Sequence, residues 1–143
     1  MKYTLPFFLL LVVSAVFAAP PDPQHAPPVR EKNTRTAAQR KMDSQLLFAL
    51  YRERGEAEAK GVPSGELRVT FDAKRRAFVA IRARVTKDLL AAIKTLGGDV
   101  VSSSERDHDV HAYLPLGKLE ELAASKTVYA IMPAEEATTN RVK

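Results

Sequence analysis

The sequence contains no cysteine and no tryptophan, and only six of its 143 residues are glycine. Without cysteine, disulfide bonds, thiol catalysis and cysteine-ligated metal sites are excluded. The folded part must therefore be held by its hydrophobic core, and about 100 residues bury enough surface for this. The basic residues do not cluster with the six phenylalanines and four tyrosines, and the net charge is only +5, so we expect no nucleic-acid partner.

The longest apolar run lies at the N-terminus. Lys2 precedes a run from Leu5 to Phe17. In Val16-Phe17-Ala18, small residues occupy the two positions that a signal peptidase recognises before a cut after Ala18. The run is shorter than the about 20 residues of a membrane-spanning helix. Residues 1–18 are therefore predicted to be a cleavable signal peptide, and we expect a secreted or periplasmic product that does not associate with a membrane.

Two segments precede the predicted compact domain. Residues 19–36 contain five prolines and little to bury, which predicts a disordered linker. Residues 37–60 have apolar side chains at three- and four-residue spacing, which predicts an amphipathic helix capped by Asp43 or Ser44. We expect this helix to pack on the domain that follows rather than on a membrane surface or a partner.

Residues 65–133 read as a mixture of strands and helices. Alternating apolar residues predict one strand at Leu67–Phe71 and a second from Ala77 onwards. From Ala77 the predicted order is strand, helix, strand, strand, helix, strand, with Thr86 capping the first helix and Gly97 ending it. This order predicts an α+β, ferredoxin-like βαββαβ fold, with an antiparallel sheet and both helices on one face. Residues 67–71 would add an extra edge strand.

Such a sheet leaves its second face uncovered. The strand pattern places Phe78, Arg82, Arg84, His111 and Tyr113 there, and a mixture of aromatic and charged residues is common in protein interfaces. A solvated sheet face has the same composition, so an interface and a solvated face remain equal alternatives from the sequence.

The polar stretch Asp107–His111 is the strongest candidate for chemistry. On a strand, the spacing of His108 and His111 sends the two rings to opposite faces, so we predict no metal site and no cofactor. The neighbouring Ser102–Ser104 lacks the strand-to-helix turn that presents a nucleophilic serine. The paired carboxylates Glu120 and Glu121 are predicted to lie on the outer side of a helix, without an apolar pocket. We therefore predict that the protein is not an enzyme.

Several stretches resemble a known family. They are Val85-Thr86 before a Leu-Leu helix, Leu96-Gly97-Gly98, Ala112–Leu116, Leu119–Ala123 and Val128–Pro133. Together they resemble the N-terminal pro-domain of bacterial subtilisin-like serine peptidases, which is similar to the peptidase inhibitor I9 fold. The similarity covers about residues 67–143 and consists of packing signatures rather than catalytic ones.

The resemblance implies a module that assists the folding of its subtilase and inhibits it. In such modules the open sheet face docks on two enzyme helices, which would involve Phe78, Arg82 and Tyr113. Acidic residues after the last strand cap those helices, and the C-terminal tail, here residues 134–143, occupies the substrate cleft. The residues implied for these two roles are Glu135 and Glu136 for the caps, and Thr138, Thr139, Asn140, Arg141, Val142 and Lys143 for the cleft.

Three readings of the function follow. No peptidase domain follows Lys143 in the sequence, so the first expectation is a free-standing inhibitor, a folding assistant or a relic of a larger precursor, monomeric when free. The alternative is a non-catalytic structural or adaptor module of the cell envelope that binds another protein. Metal binding through His108 and His111 is a distant third.

Overall fold

A computed structural model describes residues 31–135, which form an α+β fold. The predicted signal peptide, most of the predicted linker and residues 136–143 lie outside the described residues. Within them, a four-stranded antiparallel sheet has the order β2-β3-β1-β4, and three α-helices accompany it. The elements are α1 (Ser44–Glu53), β1 (Arg76–Ala83), α2 (Lys87–Thr95), β2 (Asp99–Ser104), β3 (Asp109–Pro115), α3 (Leu119–Ala123) and β4 (Val128–Pro133).

The ends of α2 follow the local chemistry of its sequence. The Thr86 hydroxyl accepts a hydrogen bond from the Leu89 N–H at 3.2 Å, which satisfies a backbone donor that the first turn leaves free. Gly97 follows the helix with a φ of +82°, a conformation that residues with a Cβ rarely adopt. Both predicted boundaries of this helix are confirmed.

The buried face of the sheet and the three helices share one core. Val79, Ile81, Val110 and Leu114 are fully buried, and alternation along β1 and β3 places them on one face. They belong to a single apolar cluster with the buried residues of all three helices. The helices therefore cover the same side of the sheet. None of the three helices covers the other side, whose residues are described below.

The N-terminal helix is shorter than the predicted range of 37–60. The α-helix is Ser44–Glu53, and short 3-10 turns at Glu31–Thr34 and Gln39–Lys41 precede it. The Asp43 carboxylate accepts the Gln45 N–H at 2.8 Å and caps the first turn. Gly55, with a φ of +71°, follows the helix and favours its end there.

The folded part also begins earlier than predicted, because residues 31–36 are not linker. Glu31 is only 8% exposed, and Arg35 donates to both of its carboxylate oxygens at 2.6 and 2.7 Å. The same Arg35 contacts the Ser44 hydroxyl at 3.0 Å, so this pair is anchored to the start of α1. Residues 31–54, called the arm below, are therefore part of the domain.

The predicted extra strand at Leu67–Phe71 does not form. Only an isolated bridge joins Phe71 to Ala77; its two hydrogen bonds run from the Phe78 N–H to the Thr70 carbonyl at 2.8 Å and from the Asp72 N–H to the Arg76 carbonyl at 3.0 Å. The prediction was wrong because β1 is not an edge strand. Its neighbour β4 pairs with Val79–Ala83 and leaves only the start of β1 for the earlier segment.

The side-chain pattern of β4 also departs from a regular alternation, which would place Val128, Ala130 and Met132 on one face. A register shift opposite Arg82 and Ala83 makes Tyr129 an extra residue in the strand. Val128 and Ile131 consequently both face the core, while Tyr129 is 52% exposed. A bulge of this kind is set by the partner strand and leaves no signal in the sequence of β4.

Candidate docking surface

The face of the sheet opposite the helices is a regular array, called the open face below. In an antiparallel sheet, residues paired across strands point to the same side, so the register defines rows. The first row contains Asp99, Tyr113 and Phe78; the second contains Ser102, His111, Ala80 and Met132; the third contains Ser104, Asp109, Arg82 and Ala130.

An aromatic cluster occupies one end of the open face. The Phe78 ring stacks on Tyr113 at a centroid distance of 4.7 Å and an interplanar angle of 27°, and the His111 ring is 6.0 Å away. The Arg76 guanidinium lies 5.9 Å from the centre of the Tyr113 ring. Phe78 is 6% exposed but does not belong to the core cluster under the helices. The open face thus has a small apolar cluster of its own, separate from the core under the helices.

Charged groups lie at the opposite end of the open face. Arg82 is exposed and forms no ion pair with any residue that the structure describes. Asp109 is 3.1 Å from His111 through its carboxylate and Nδ1. Met132, at 38% exposed, and the half-buried Ala80 lie in the row between this end and the aromatic cluster, and the half-buried Ala130 lies beside Arg82. The face therefore offers apolar area flanked by Arg82, which has no ionic partner among residues 31–135, and this composition suits a protein partner.

Ser102, His111 and Asp109 come together, but not as a catalytic relay. The Ser102 hydroxyl is 3.4 Å from His111 Nδ1, and the Asp109 carboxylate is 3.1 Å from the same nitrogen. A relay needs the carboxylate on one ring nitrogen and the hydroxyl on the other. Serine and histidine are thus neighbours in space, yet this geometry does not assemble a base and a nucleophile.

His108 takes no part in this group. It lies in the turn between β2 and β3 with a φ of +55°, and its carbonyl accepts the Ala83 N–H at 2.9 Å. Within residues 31–135, no set of three or more histidine, aspartate or glutamate side chains is placed to hold a metal ion. The absence of a metal, of a cofactor and of catalysis remains a prediction from the sequence.

The other predicted site residues are distributed unevenly. Glu135 is exposed beside residues 66–70, and Glu136 together with Thr138–Lys143 lies outside the described residues. Arg84, which the strand pattern placed on the open face, instead lines a groove between α2 and α3. The sequence analysis did not assign three residues of the open face: Ala80, Ala130 and Met132. The faces of Ala130 and Met132 depend on the bulge in β4, which the sequence does not show.

Glu120 is also placed differently from the prediction of a solvated carboxylate. It accepts hydrogen bonds from the Gln39 side chain and from Arg54, the latter at 2.6 Å. Burial disfavours its charge, but these bonds outweigh burial and lower the pKa of the Glu120 carboxyl. Its role is to tie the arm to α3, not to form a site.

The chain matches no family model, no curated protein and no solved structure. Among the helices in the described part of the chain, none is both long and apolar enough to cross a membrane.

Proposed function

We propose that the chain is an exported, ferredoxin-like protein-binding domain that inhibits a subtilisin-like serine peptidase or assists its folding. The open face docks on the enzyme, and the C-terminal tail enters the substrate cleft. The order of β1, α2, β2, β3, α3 and β4, with strands arranged 2-3-1-4, supports the split βαβ arrangement that such a module needs.

One observation carries the proposal: the chain leaves the sheet beside the aromatic cluster. β4 ends at Pro133, and the next N–H, from Ala134, donates to the Phe78 carbonyl at 3.0 Å. Glu135 then emerges exposed. The tail therefore starts next to Phe78, so a single partner surface can meet the open face and the tail together.

The open face and the C-terminal tail are suited to different roles, docking and blocking. The stacked rings and Met132 offer apolar area, which supplies docking affinity. Glu135, with Glu136 after it, can interact with the partial positive charge at helix N-termini of the enzyme. An extended tail can add to an exposed strand edge in the cleft, as substrates do. Docking and blocking are thus separable.

The test titrates residues 19–143 into a panel of subtilisin-like peptidases and follows hydrolysis of a chromogenic peptide. We expect the intact chain to inhibit and the chain lacking Thr138–Lys143 to bind without inhibiting. Binding of the shortened chain is measured by calorimetry on an enzyme with a blocked active site. Loss of both binding and inhibition on removing the tail would contradict docking through the open face.

A pair of arginines provides the matched control. Arg82→Glu introduces a charge reversal on the open face and should weaken binding by at least about tenfold. Arg84→Glu makes the same change two residues away, in the groove between α2 and α3, and should leave binding unchanged. If the intact chain inhibits no subtilase at tens of micromolar, the inhibitor proposal gives way to the alternative, a structural or adaptor module that binds another protein.

A further inference from the structure

Residues 66–70, called the flanking segment below, lie ahead of β1 without forming a strand of the sheet. They form no helix, turn or bend, and burial alternates along them. Leu67 and Val69 are half-buried and pack against the core, whereas Glu66 and Arg68 are exposed. This alternation is typical of an extended chain, in which successive residues direct their backbone N–H and C=O groups to opposite sides.

One side of the flanking segment is engaged in hydrogen bonds and the other is not. The Arg68 N–H donates to the side-chain oxygen of Gln45 at 3.0 Å. The Thr70 carbonyl accepts the Phe78 N–H at 2.8 Å. On the other side, the N–H and C=O groups of the two residues that pack on the core form no hydrogen bond with any residue in the range 31–135. A strand edge left in this way can pair with a further strand.

The C-terminal tail begins beside this unused edge. Phe78 donates its N–H to the flanking segment and accepts the Ala134 N–H at 3.0 Å, so both chains meet β1 at the same residue. Glu135 and the flanking segment then line one groove of about 460 Å³. Residues 136–143 span about 26 Å when extended, more than the about 17 Å of the flanking segment. The tail is therefore close enough and long enough to follow the whole edge.

We propose that residues 136–143 pair antiparallel with the flanking segment in the free protein. The flanking segment and β4 both run antiparallel to β1, so the chain has to reverse after β4 in order to reach the unused edge. In the proposed register, Thr138 lies opposite Val69. Asn140 then lies opposite Leu67, and the unused N–H and C=O groups of the flanking segment all gain partners.

The charges of the exposed side chains favour this register. It sets Glu66 opposite Arg141 and Arg68 opposite Thr139. Neither Glu66 nor Arg68 forms an ion pair or a side-chain hydrogen bond with any residue from 31 to 135. Opposite charges paired across strands stabilise a sheet. A slip by two residues would set Arg68 opposite Arg141, and like charges in that position destabilise the pairing.

The pairing regulates the tail, and this consequence rests on the proposed function. A tail bound to the flanking segment is not free to enter a substrate cleft, so inhibition requires its release. Because the tail is joined to the groove by one or two residues, its effective concentration there is high and a few hydrogen bonds hold it. A variant whose tail is released should therefore inhibit at a lower concentration than the unmodified chain.

The first test is amide hydrogen exchange of residues 19–143, followed by NMR in the absence of any peptidase. Removing residues 136–143 should speed exchange at Leu67 and Val69 at least about tenfold. The Arg68 amide is the internal control, because Gln45 accepts its N–H in both chains. Equal exchange of Leu67 and Val69 in the two chains overturns the proposal, whether or not the chain inhibits a peptidase.

The second test keeps the full chain and changes its charges. Arg141→Glu should speed exchange at Val69, because it sets two carboxylates opposite each other. Lys143→Glu is the matched control, since in the proposed register this residue lies beyond the flanking segment, and it should leave exchange unchanged. Glu66→Arg combined with Arg141→Glu restores opposite charges and should restore slow exchange. Equal effects of the two single tail variants, or a double variant no slower than Arg141→Glu alone, overturn the register.

Discussion

At Gly98 the helix α2 and the sheet approach so closely that a side chain has no space. A Cβ built at this position would lie 2.8 Å from the Ile93 carbonyl oxygen, and equally close to a methyl carbon of Ile93 and of Leu114. Backbone atoms cannot move aside as a flexible side chain can. The reason for glycine here is therefore packing, whereas at Gly97 it is the positive φ.

Gly98→Ala should lower the free energy of unfolding by about 1–3 kcal/mol, because the added methyl group overpacks the contact between α2 and β3. Urea denaturation followed by circular dichroism measures this. Gly117→Ala is the control, since a Cβ there meets no atom within 4 Å, and it should change stability by less than about 0.5 kcal/mol. Equal effects of the two substitutions would mean that the approach of α2 to the sheet is misplaced.

At the scale of elements, polar contacts attach the arm to the second half of the domain. Glu120 on α3 accepts from Gln39 and Arg54, which lie before and after α1. The Lys41 ammonium donates to the Ser125 carbonyl at 2.8 Å, just beyond α3. These bonds hold the two ends of α1 against α3, so the strength of the attachment depends on the charge of Glu120.

The attachment should weaken in acid. The pKa of the folded Glu120 carboxyl lies below its ordinary value of 4.5, so its stabilisation is complete above pH 4.5 and is lost as the pH falls through the folded pKa. We therefore expect Glu120→Gln to destabilise the domain at neutral pH and to differ progressively less from the wild type in acid. Urea unfolding from about pH 7 to about pH 3 measures the difference.

The neighbouring Glu121→Gln is the control for this titration. Glu121 pairs with Lys118 on the surface with its side chain 60% exposed, and such pairs contribute little. Its substitution should leave the stability nearly unchanged over the same pH range. A wild-type advantage over Glu120→Gln that grows in acid would contradict the role assigned to Glu120.

For the whole molecule, the important feature is that the arm and residues 76–133 share one core. Leu46, Leu47 and Leu50 on α1 are fully buried in the same cluster as Ile93 on α2 and Leu119 at the start of α3. Residues 31–135 should therefore unfold as one cooperative unit, in which the arm is not a separable partner-binding helix.

Leu47→Ala in the arm and Ile93→Ala in α2 should each cost about 2–5 kcal/mol, because both remove fully buried methyl groups. In thermal unfolding, each should shift one single transition seen equally by near- and far-ultraviolet circular dichroism. Val101→Ala, at an exposed site, is the control. An early, separate transition caused by Leu47→Ala alone would show that the arm melts independently.

Elements with a strong local pattern could be predicted from the sequence. Thr86 and Gly97 bound α2, and the alternation in β1 and β3 identifies which side chains enter the core. The failures concern residues whose position depends on a distant neighbour. Glu31 reads as linker because its partner Arg35 is buried only once α1 is packed, and Tyr129 reads as a regular strand residue because its bulge is set by β1.

For the candidate docking surface, too, local features could be predicted from the sequence and features that depend on distant residues could not. Phe78, Arg82 and Tyr113 could be assigned to one face from period two alone, because alternation in a strand is a local property. The stacking of Phe78 on Tyr113, the exclusion of Arg84 and the inclusion of Met132 depend on which strands are neighbours and in what register. Such pairing joins residues far apart in the chain, and no local pattern encodes it.

By itself, the amino-acid sequence determined the helix ends at Thr86 and Gly97, the two faces of β1 and β3, and the lack of any disulfide. Only the tertiary structure decided that β4 and not residues 67–71 lies beside β1, that the arm covers the β4 edge, and that no segment within residues 31–135 covers β2. The physical reason is that propensity and alternation act over a few residues, whereas strand order and edge coverage follow from burying one shared core.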